Sequence, residues 1–310
     1  MKIMVTGGAG FIGSNTVDLL IDRGHEVCVV DNFTTGKPSN LNYYRGKVAL
    51  CDITDIRLLT NVFEECKPEA ILHLAAQSAI SIALAAPQHD LRVNAEGTLN
   101  VLKLAKQFKV KRFIFSSTSA VYSEVAKHYM FGGMTESYEL GPTTPYGISK
   151  LTAEQYIRTM FPNHMILRYA NVYGPRQVGI GENQVIALVM SHFIKGTPFK
   201  VVGSGNQKRD FIFVQDVAQC NYEALLSSEV GTFNMATGKS HSVNEILRLV
   251  ENTFQVPGYK WEHTKVEDPR GSVYLEAKKI YNKMGWLAVH GIQEGIELTA
   301  DWWKKNESIY

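Results

Sequence analysis

In the run Tyr146-Gly147-Ile148-Ser149-Lys150, a phenol and an ammonium stand four residues apart, so on a helix they share one face, one turn apart. Tyrosine is normally protonated at neutral pH. A cation about 4 Å away in an effective dielectric near ~20 favours the phenolate by up to about 4 kcal/mol, which is roughly three pKa units. The spacing therefore predicts a lowered tyrosine pKa and a base able to take a proton from a hydroxyl. The same spacing also occurs on ordinary amphipathic helices, so its meaning depends on its surroundings. Upstream, the apolar run Phe113-Ile114-Phe115 leads into Ser116, Ser117, Thr118 and Ser119. Hydroxyls at a strand's carboxyl end can bind a substrate hydroxyl and relay its proton, but they also cap turns, so one of the four suffices for chemistry.

These side chains need a scaffold, and the first residues supply its signature. Val5-Thr6-Gly7-Gly8-Ala9-Gly10-Phe11-Ile12-Gly13 lies between an apolar strand pattern and an amphipathic helix pattern. Gly7, Gly10 and Gly13 fall where a chain must turn sharply, approach a pyrophosphate and pack a helix on a sheet, while the helix N-terminus offers free N–H groups. A second apolar strand, Glu26 to Val30, ends in Asp31. That is the place where a dinucleotide-binding unit sets a carboxylate against the adenosine ribose. A carboxylate there repels a 2′-phosphate, so the expected cofactor is NAD rather than NADP.

Strand patterns near 2–6, 26–31, 47–50, 70–74, 112–116 and 165–169 alternate with helix patterns near 12–23, 55–66, 95–107 and 146–161. Such alternation predicts an α/β doubly wound parallel sheet whose ligands lie beyond the strands' carboxyl ends. Residues 1–170 are assigned to this dinucleotide-binding unit, with a returning segment near 206–232. Residues 171–310, richer in glycine punctuation and with helices near 183–195, 216–227, 242–254 and 291–306, are assigned to a smaller, interleaved substrate domain.

The formal net charge is +2, and Lys103, Lys106, Lys109, Lys111 and Arg112 are expected on one solvated helix face and its exit, so nucleic acid is not an expected partner. Cys28, Cys51, Cys66 and Cys220 lack metal-ligand spacing; reduced thiols and no metal are expected. No basic, apolar leader precedes the first strand and no apolar run is long enough to span a bilayer, which predicts a cytoplasmic protein.

Taken with Asp31-Asn32-Phe33-Thr34-Thr35-Gly36, Cys51-Asp52-Ile53, His73-Leu74-Ala75-Ala76-Gln77, Asn94-Ala95-Glu96-Gly97-Thr98, the run Arg168 to Gln177, Arg209-Asp210-Phe211 and Gly285-Trp286, the chain resembles the extended short-chain dehydrogenases/reductases of Rossmann fold. Within them it is most similar to the UDP-glucose 4-epimerase group. The resemblance implies Tyr146 as base, Lys150 as its modulator and Thr118 as the bridging hydroxyl. It implies NAD contacts from Gly7, Gly10, Phe11, Ile12, Gly13, Asp31, Asn32, Asp52, Ile53, Ala75, Ala76, Gln77, Asn94, Ser116, Tyr146, Lys150 and Tyr169. The nucleotide sugar falls to Thr118, Ser119, Tyr146, Asn171, Arg176, Val185, Arg209 and Arg270, the arginines suiting a diphosphate through forked, charge-assisted hydrogen bonds.

Related 4,6-dehydratases carry Asp-Glu directly after the catalytic threonine, and related decarboxylases carry a glutamate two positions after it; this chain has Ser119 and Ala120. The resemblance therefore implies oxidation and re-reduction at C4 of a UDP-hexose, with NAD recycled. The loop around Arg270 is shorter than the group's pattern, and Ala79 and Ala83 replace serines common there. Val273 stands where larger residues limit space beside the sugar's C2 substituent, which implies acceptance of N-acetyl sugars. The alternatives are an epimerase or reductase for another nucleotide sugar (a UDP-uronate, or a dTDP-, CDP- or GDP-deoxy sugar) and a non-catalytic nucleotide-sugar sensor. A homodimer is implied as well, with Leu99, Leu102, Tyr156 and Ile157 as seam candidates.

Overall fold

The computed structural model describes residues 1–123, 133–177, 184–256, 258–265 and 272–306. The strands β1 (Lys2–Thr6), β2 (Glu26–Asp31), β3 (Lys47–Leu50), β4 (Ala70–His73), β5 (Arg112–Thr118) and β6 (His164–Tyr169) form one sheet, which Gly231–Met235 joins beside β6. The seven strands run parallel in the order Gly231–Met235, β6, β5, β4, β1, β2, β3. Strand order reverses between β1 and β4, so a crevice opens there at the carboxyl ends. The central strands are buried on both faces, as their unbroken apolar runs require; one face packs Ile3, Val5 and Leu72, the other Met4, Ile71 and Phe113.

Helices α1 (Phe11–Asp22), α2 (Ile56–Cys66), α3 (Ile80–Ala85), α4 (Pro87–Leu91), α5 (Thr98–Gln107) and α6 (Pro145–Met160) connect the strands of this half. Asp55 caps α2 by accepting from the N–H groups of Arg57 and Leu58. Thr144 caps α6 by accepting from Gly147 N–H, with Pro145 at the first position, so α6 starts immediately before Tyr146. The expected helix near 95–107 is shorter than its pattern: α5 begins at Thr98, and Arg92–Gly97 is wound as a π-helical segment between α4 and α5.

The rest of the chain builds small paired strands, Asn171–Tyr173 with Phe211–Phe213, Lys208–Arg209 with His241–Ser242, and Phe199–Val201 with Trp261–His263. Their core includes Tyr173, Met190, Phe213, Leu247 and Trp303. Helix Val214–Leu226 returns to pack on α1, and strand Gly231–Met235, which the sequence reading did not contain, follows it into the main sheet. Among the described residues no helix is long and apolar enough to cross a membrane.

Two expectations change. Arg112 is buried rather than solvated: its guanidinium donates to the carbonyls of Ala224 and Glu229 and to Asn163 Oδ1, because β5 begins inside the molecule. Cys28 on β2 and Cys66 at the end of α2 face the same apolar layer and are joined as a disulfide, while Cys51 and Cys220 are free. Titration with a thiol reagent in denaturant should then count two thiols per chain before reduction and four after it; four before reduction would remove the bridge.

Candidate functional site

The glycine turn closes onto the neighbouring strands. Gly7 has φ +69° and donates to Val30 O at 2.7 Å; a Cβ there would lie 2.7 Å from Ala75 N. At Gly13 a Cβ would collide with Gly7 O, so α1 can approach the turn only with glycine at that place. Gly10 begins α1 with no side-chain cap, which leaves the first-turn N–H groups around Phe11 and Ile12 for an anionic ligand. Asp31 is buried at the end of β2 and accepts from Ala9 N at 2.9 Å and Phe33 N at 2.8 Å. Burial pushes its carboxyl above the usual range against those bonds. Asn32 donates to Asp52, whose other oxygen takes the Thr54 N–H and hydroxyl. Burial would raise Asp52, but these bonds hold it below its ordinary value. Ile53 packs against Gly97, where a Cβ would lie 2.6 Å from its side chain.

On α6, Tyr146, Lys150, Glu154 and Arg158 follow one another at four-residue spacing along one face. The Tyr146 phenol hydrogen-bonds the Thr118 side chain, which also accepts from Ala120 N at 3.1 Å. Lys150 is 2% exposed, and its Nζ lies over the Phe115 ring, 4.3 Å from the centroid. The expected lowering of Tyr146 is not what the protein alone produces. Burial pushes the phenol up to about 12, Thr118 pulls it down and the charge of Asp90 pushes it further up. Lys150 is itself held down to about 7 by burial, with Glu154 and Asp90 working in the opposite direction. At both groups desolvation is the largest influence, because each is buried in the protein.

A hydrogen-bond ladder ties this helix to the glycine turn. Thr98 Oγ1 gives its proton to Asn94 O at 2.6 Å, so it accepts from His73 Nε2 at 2.9 Å; His73 Nδ1 then accepts from Thr6 Oγ1 at 2.6 Å. Asn94 Nδ2 bonds Gln77 O, Asp90 Oδ1 and Ser149 Oγ, and its Oδ1 accepts from Gln77 N. The Gln77 side chain is spent on Ala79 and Asp90. Glu154 is fully buried; it holds Arg168 in a fork and accepts from Arg158 and from Ser117 Oγ.

The other expected residues divide. Ser116 Oγ donates to His73 O. Ala75 N–H reaches Thr6 Oγ1, beside Ala76 in the same loop. Tyr169 OH donates to Asn221 Oδ1 at 2.7 Å, away from the hydroxyl cluster. Ser119 opens a short turn directly after β5. Asn171 bonds Asp210 O through its N–H and its amide. Val273 bridges in register with Arg209, which brings the two to one edge. Arg176, in the left-handed region, pairs with Asp18 on α1 at 2.5 Å, while its buried Nη1 has no partner among the described residues. Val185 begins the helix Val185–Ile194. Arg270 lies outside the described residues. The sequence reading missed Asp90, Ser149, Glu154 and Arg168 as site residues. The four-residue spacing from Lys150 was the available signal for Glu154; Asp90 offered none.

A family model described as the NAD dependent epimerase/dehydratase family matches residues 3–236. A putative UDP-glucose 4-epimerase of Methanocaldococcus jannaschii is 36% identical over 98% of this chain and 99% of its own length. The solved structure of Thermotoga maritima UDP-glucose 4-epimerase with UDP-glucose superposes with a TM-score of 0.92 at 34% identity, covering 99% of this chain and 100% of that one. Thermus thermophilus UDP-glucose 4-epimerase in complex with NAD gives 0.90 at 34% identity, covering 98% and 99%.

Fully buried His73 is held neutral, down to about 3, chiefly by desolvation and then by the Lys150 charge. The unfolded chain takes that proton near the ordinary value of 6.5, so it binds more protons than the fold does between these values. Stability is therefore complete above pH 6.5 and declines towards pH 3, by up to about 1.4 kcal/mol per pH unit from this group. Urea unfolding between pH 7 and about 4.5 should show that slope, reduced in His73→Asn. Equal slopes in the two proteins would show that His73 does not set it.

Proposed function

As this chain belongs to the NAD dependent epimerase/dehydratase family, we infer that it inverts C4 of a UDP-hexose, UDP-glucose/UDP-galactose or the N-acetylated pair, through a transient 4-keto sugar. The observation that carries this reading is the placement of Tyr146, bonded to Thr118 and one turn from buried Lys150, beyond the sheet's carboxyl ends on the side of the glycine turn. Ser119 and Ala120 supply no further carboxylic acid after Thr118, which favours simple oxidation and return over dehydration.

The residues present suit NAD: the clash-limited glycines, the uncapped start of α1 and the buried Asp31 carboxylate fit a pyrophosphate and a ribose without a 2′-phosphate. When bound, NAD accepts a hydride from C4, returns it, and brings a positive ring charge near the phenol. Tyr146 takes the 4-hydroxyl proton through or beside Thr118 and returns a proton to that oxygen when the hydride comes back to the opposite face of C4. Lys150 stabilises the phenolate. Arg209 and Asn171 hold the diphosphate, whose binding energy retains the keto sugar while it turns. Val273 beside Arg209 leaves room for an N-acetyl group.

The chain forms a homodimer in this reading, with the interface moved from the expected helices near 95–107 and 146–161 to α3, α4 and α6, where Ile82, Leu84, Leu91, Ile148 and Tyr156 are exposed. Of the seam candidates, Leu102 and Ile157 are fully buried in the chain's own core, so they do not form the seam.

Purified without added NAD, the protein should interconvert the C4 configurations of UDP-hexoses as followed by NMR. Tyr146→Phe should lower kcat by about 10²–10⁴-fold and leave UDP-sugar affinity nearly unchanged; a rate within a few-fold of wild type would refute the assignment. In sedimentation velocity, wild type should run as a dimer and Ile148→Glu/Tyr156→Glu as a monomer; a monomeric wild type at micromolar concentration would contradict the interface.

A further inference from the structure

A carboxylate buried without a cation beside it is rare, because desolvation opposes its charge. Asp90, near the end of α4, is fully buried. It accepts from Gln77 Nε2 at 2.8 Å and Asn94 Nδ2 at 3.1 Å on Oδ1, and from Ser149 Oγ at 2.5 Å on Oδ2. All three are neutral donors, the set suited to an ionised, acceptor-only carboxylate. Among the described residues no lysine, arginine or histidine pairs with it. Glu154, the buried carboxylate one turn beyond Lys150, is answered by Arg168 and Arg158.

We propose that Asp90 is a positioning residue for the Tyr146–Lys150 pair: through Ser149, whose Oγ reaches both Asp90 Oδ2 and Tyr146 O, it fixes the first turn of α6 and sets a buried negative charge beside the pair. The proposal rests on the reading of that pair as the proton-transfer machinery. Lys150 is faced by Tyr146 and Glu154 from its own helix, by neutral His73 from β4, by the Phe115 ring from β5 and by Asp90 from α4. Of the two negative charges acting on the ammonium, Glu154 is the stronger but is also held by two guanidiniums, whereas Asp90 is held by neutral donors alone. The Asp90 charge also raises Tyr146. Removing it lowers the proton affinity of both groups and moves both limbs of the pH–rate profile in the same direction, towards acid.

Asp90→Asn tests this with little change of shape. Its Oδ1 still accepts from Gln77 and Asn94, and its amide can donate to Ser149 Oγ. The Ser149 proton then turns to Tyr146 O, already 3.0 Å away. On the NAD-loaded enzyme with UDP-glucose, the kcat–pH profile of Asp90→Asn should shift acidward by about one unit, with a several-fold lower maximum. Ser149→Ala keeps the charge and cuts the link, so its kcat should fall with both limbs at wild-type pH. An Asp90→Asn profile that superposes on wild type after scaling overturns the proposal. If that variant does not fold as the holoenzyme, Asp90→Ser, smaller and uncharged, is read by the same criterion. Tyr146→Phe separates the two levels: wild-type activity there removes the reading of the pair, whereas an inactive Tyr146→Phe with an unshifted Asp90→Asn removes the role of Asp90 alone.

Discussion

The structure is organised around one costly object, the ammonium of Lys150, which is 2% exposed. An unpaired cation in protein loses its proton or finds compensation. Here the compensation comes from several elements at once: the Phe115 face from β5, the Glu154 charge one turn along α6 and the Asp90 charge from α4. Each of these is costly in turn. Glu154 needs Arg168 and Arg158, and Asp90 needs Gln77, Asn94 and Ser149. Polar groups thus fill a layer at the carboxyl edge of the sheet, where an apolar core would otherwise be expected.

This layer joins the two halves of the chemistry. The ladder from Thr6 through His73 and Thr98 to Asn94 begins on β1, the strand that launches the glycine turn, and ends at the amide that bonds Ser149 on α6. A shift of α6 therefore cannot occur without disturbing bonds that reach the cofactor side. The same desolvation that demands the ladder also explains why Tyr146 alone is a weak acid, pushed up to about 12.

Much of this was legible from the residues. The alternation of patterns located the strands of the main sheet up to β6, and the glycine turn, Asp31, Tyr146, Lys150 and Thr118 stood out because their spacing has a local physical meaning. What escaped the sequence depends on tertiary burial. Asp90 reads as any surface acid until α4 closes over it, and the short strand Gly231–Met235 has little apolar pattern until β6 pairs with it. Arg112 at the end of a lysine-rich stretch looked solvated, yet β5 draws it inward to bond two carbonyls. Leu102 and Ile157 fit an exposed apolar stripe equally well, and only their contacts in the sheet's second core assign them to the interior.

In the proposed reaction the hydrogen at C4 leaves and returns within one closed site while Tyr146 manages only the hydroxyl proton. UDP-glucose carrying deuterium at C4, turned over in ordinary water by the protein as purified, tests this most directly. Deuterium retained at C4 of the inverted product, with no requirement for added NAD, is the predicted result; loss of the label to solvent during inversion would contradict it.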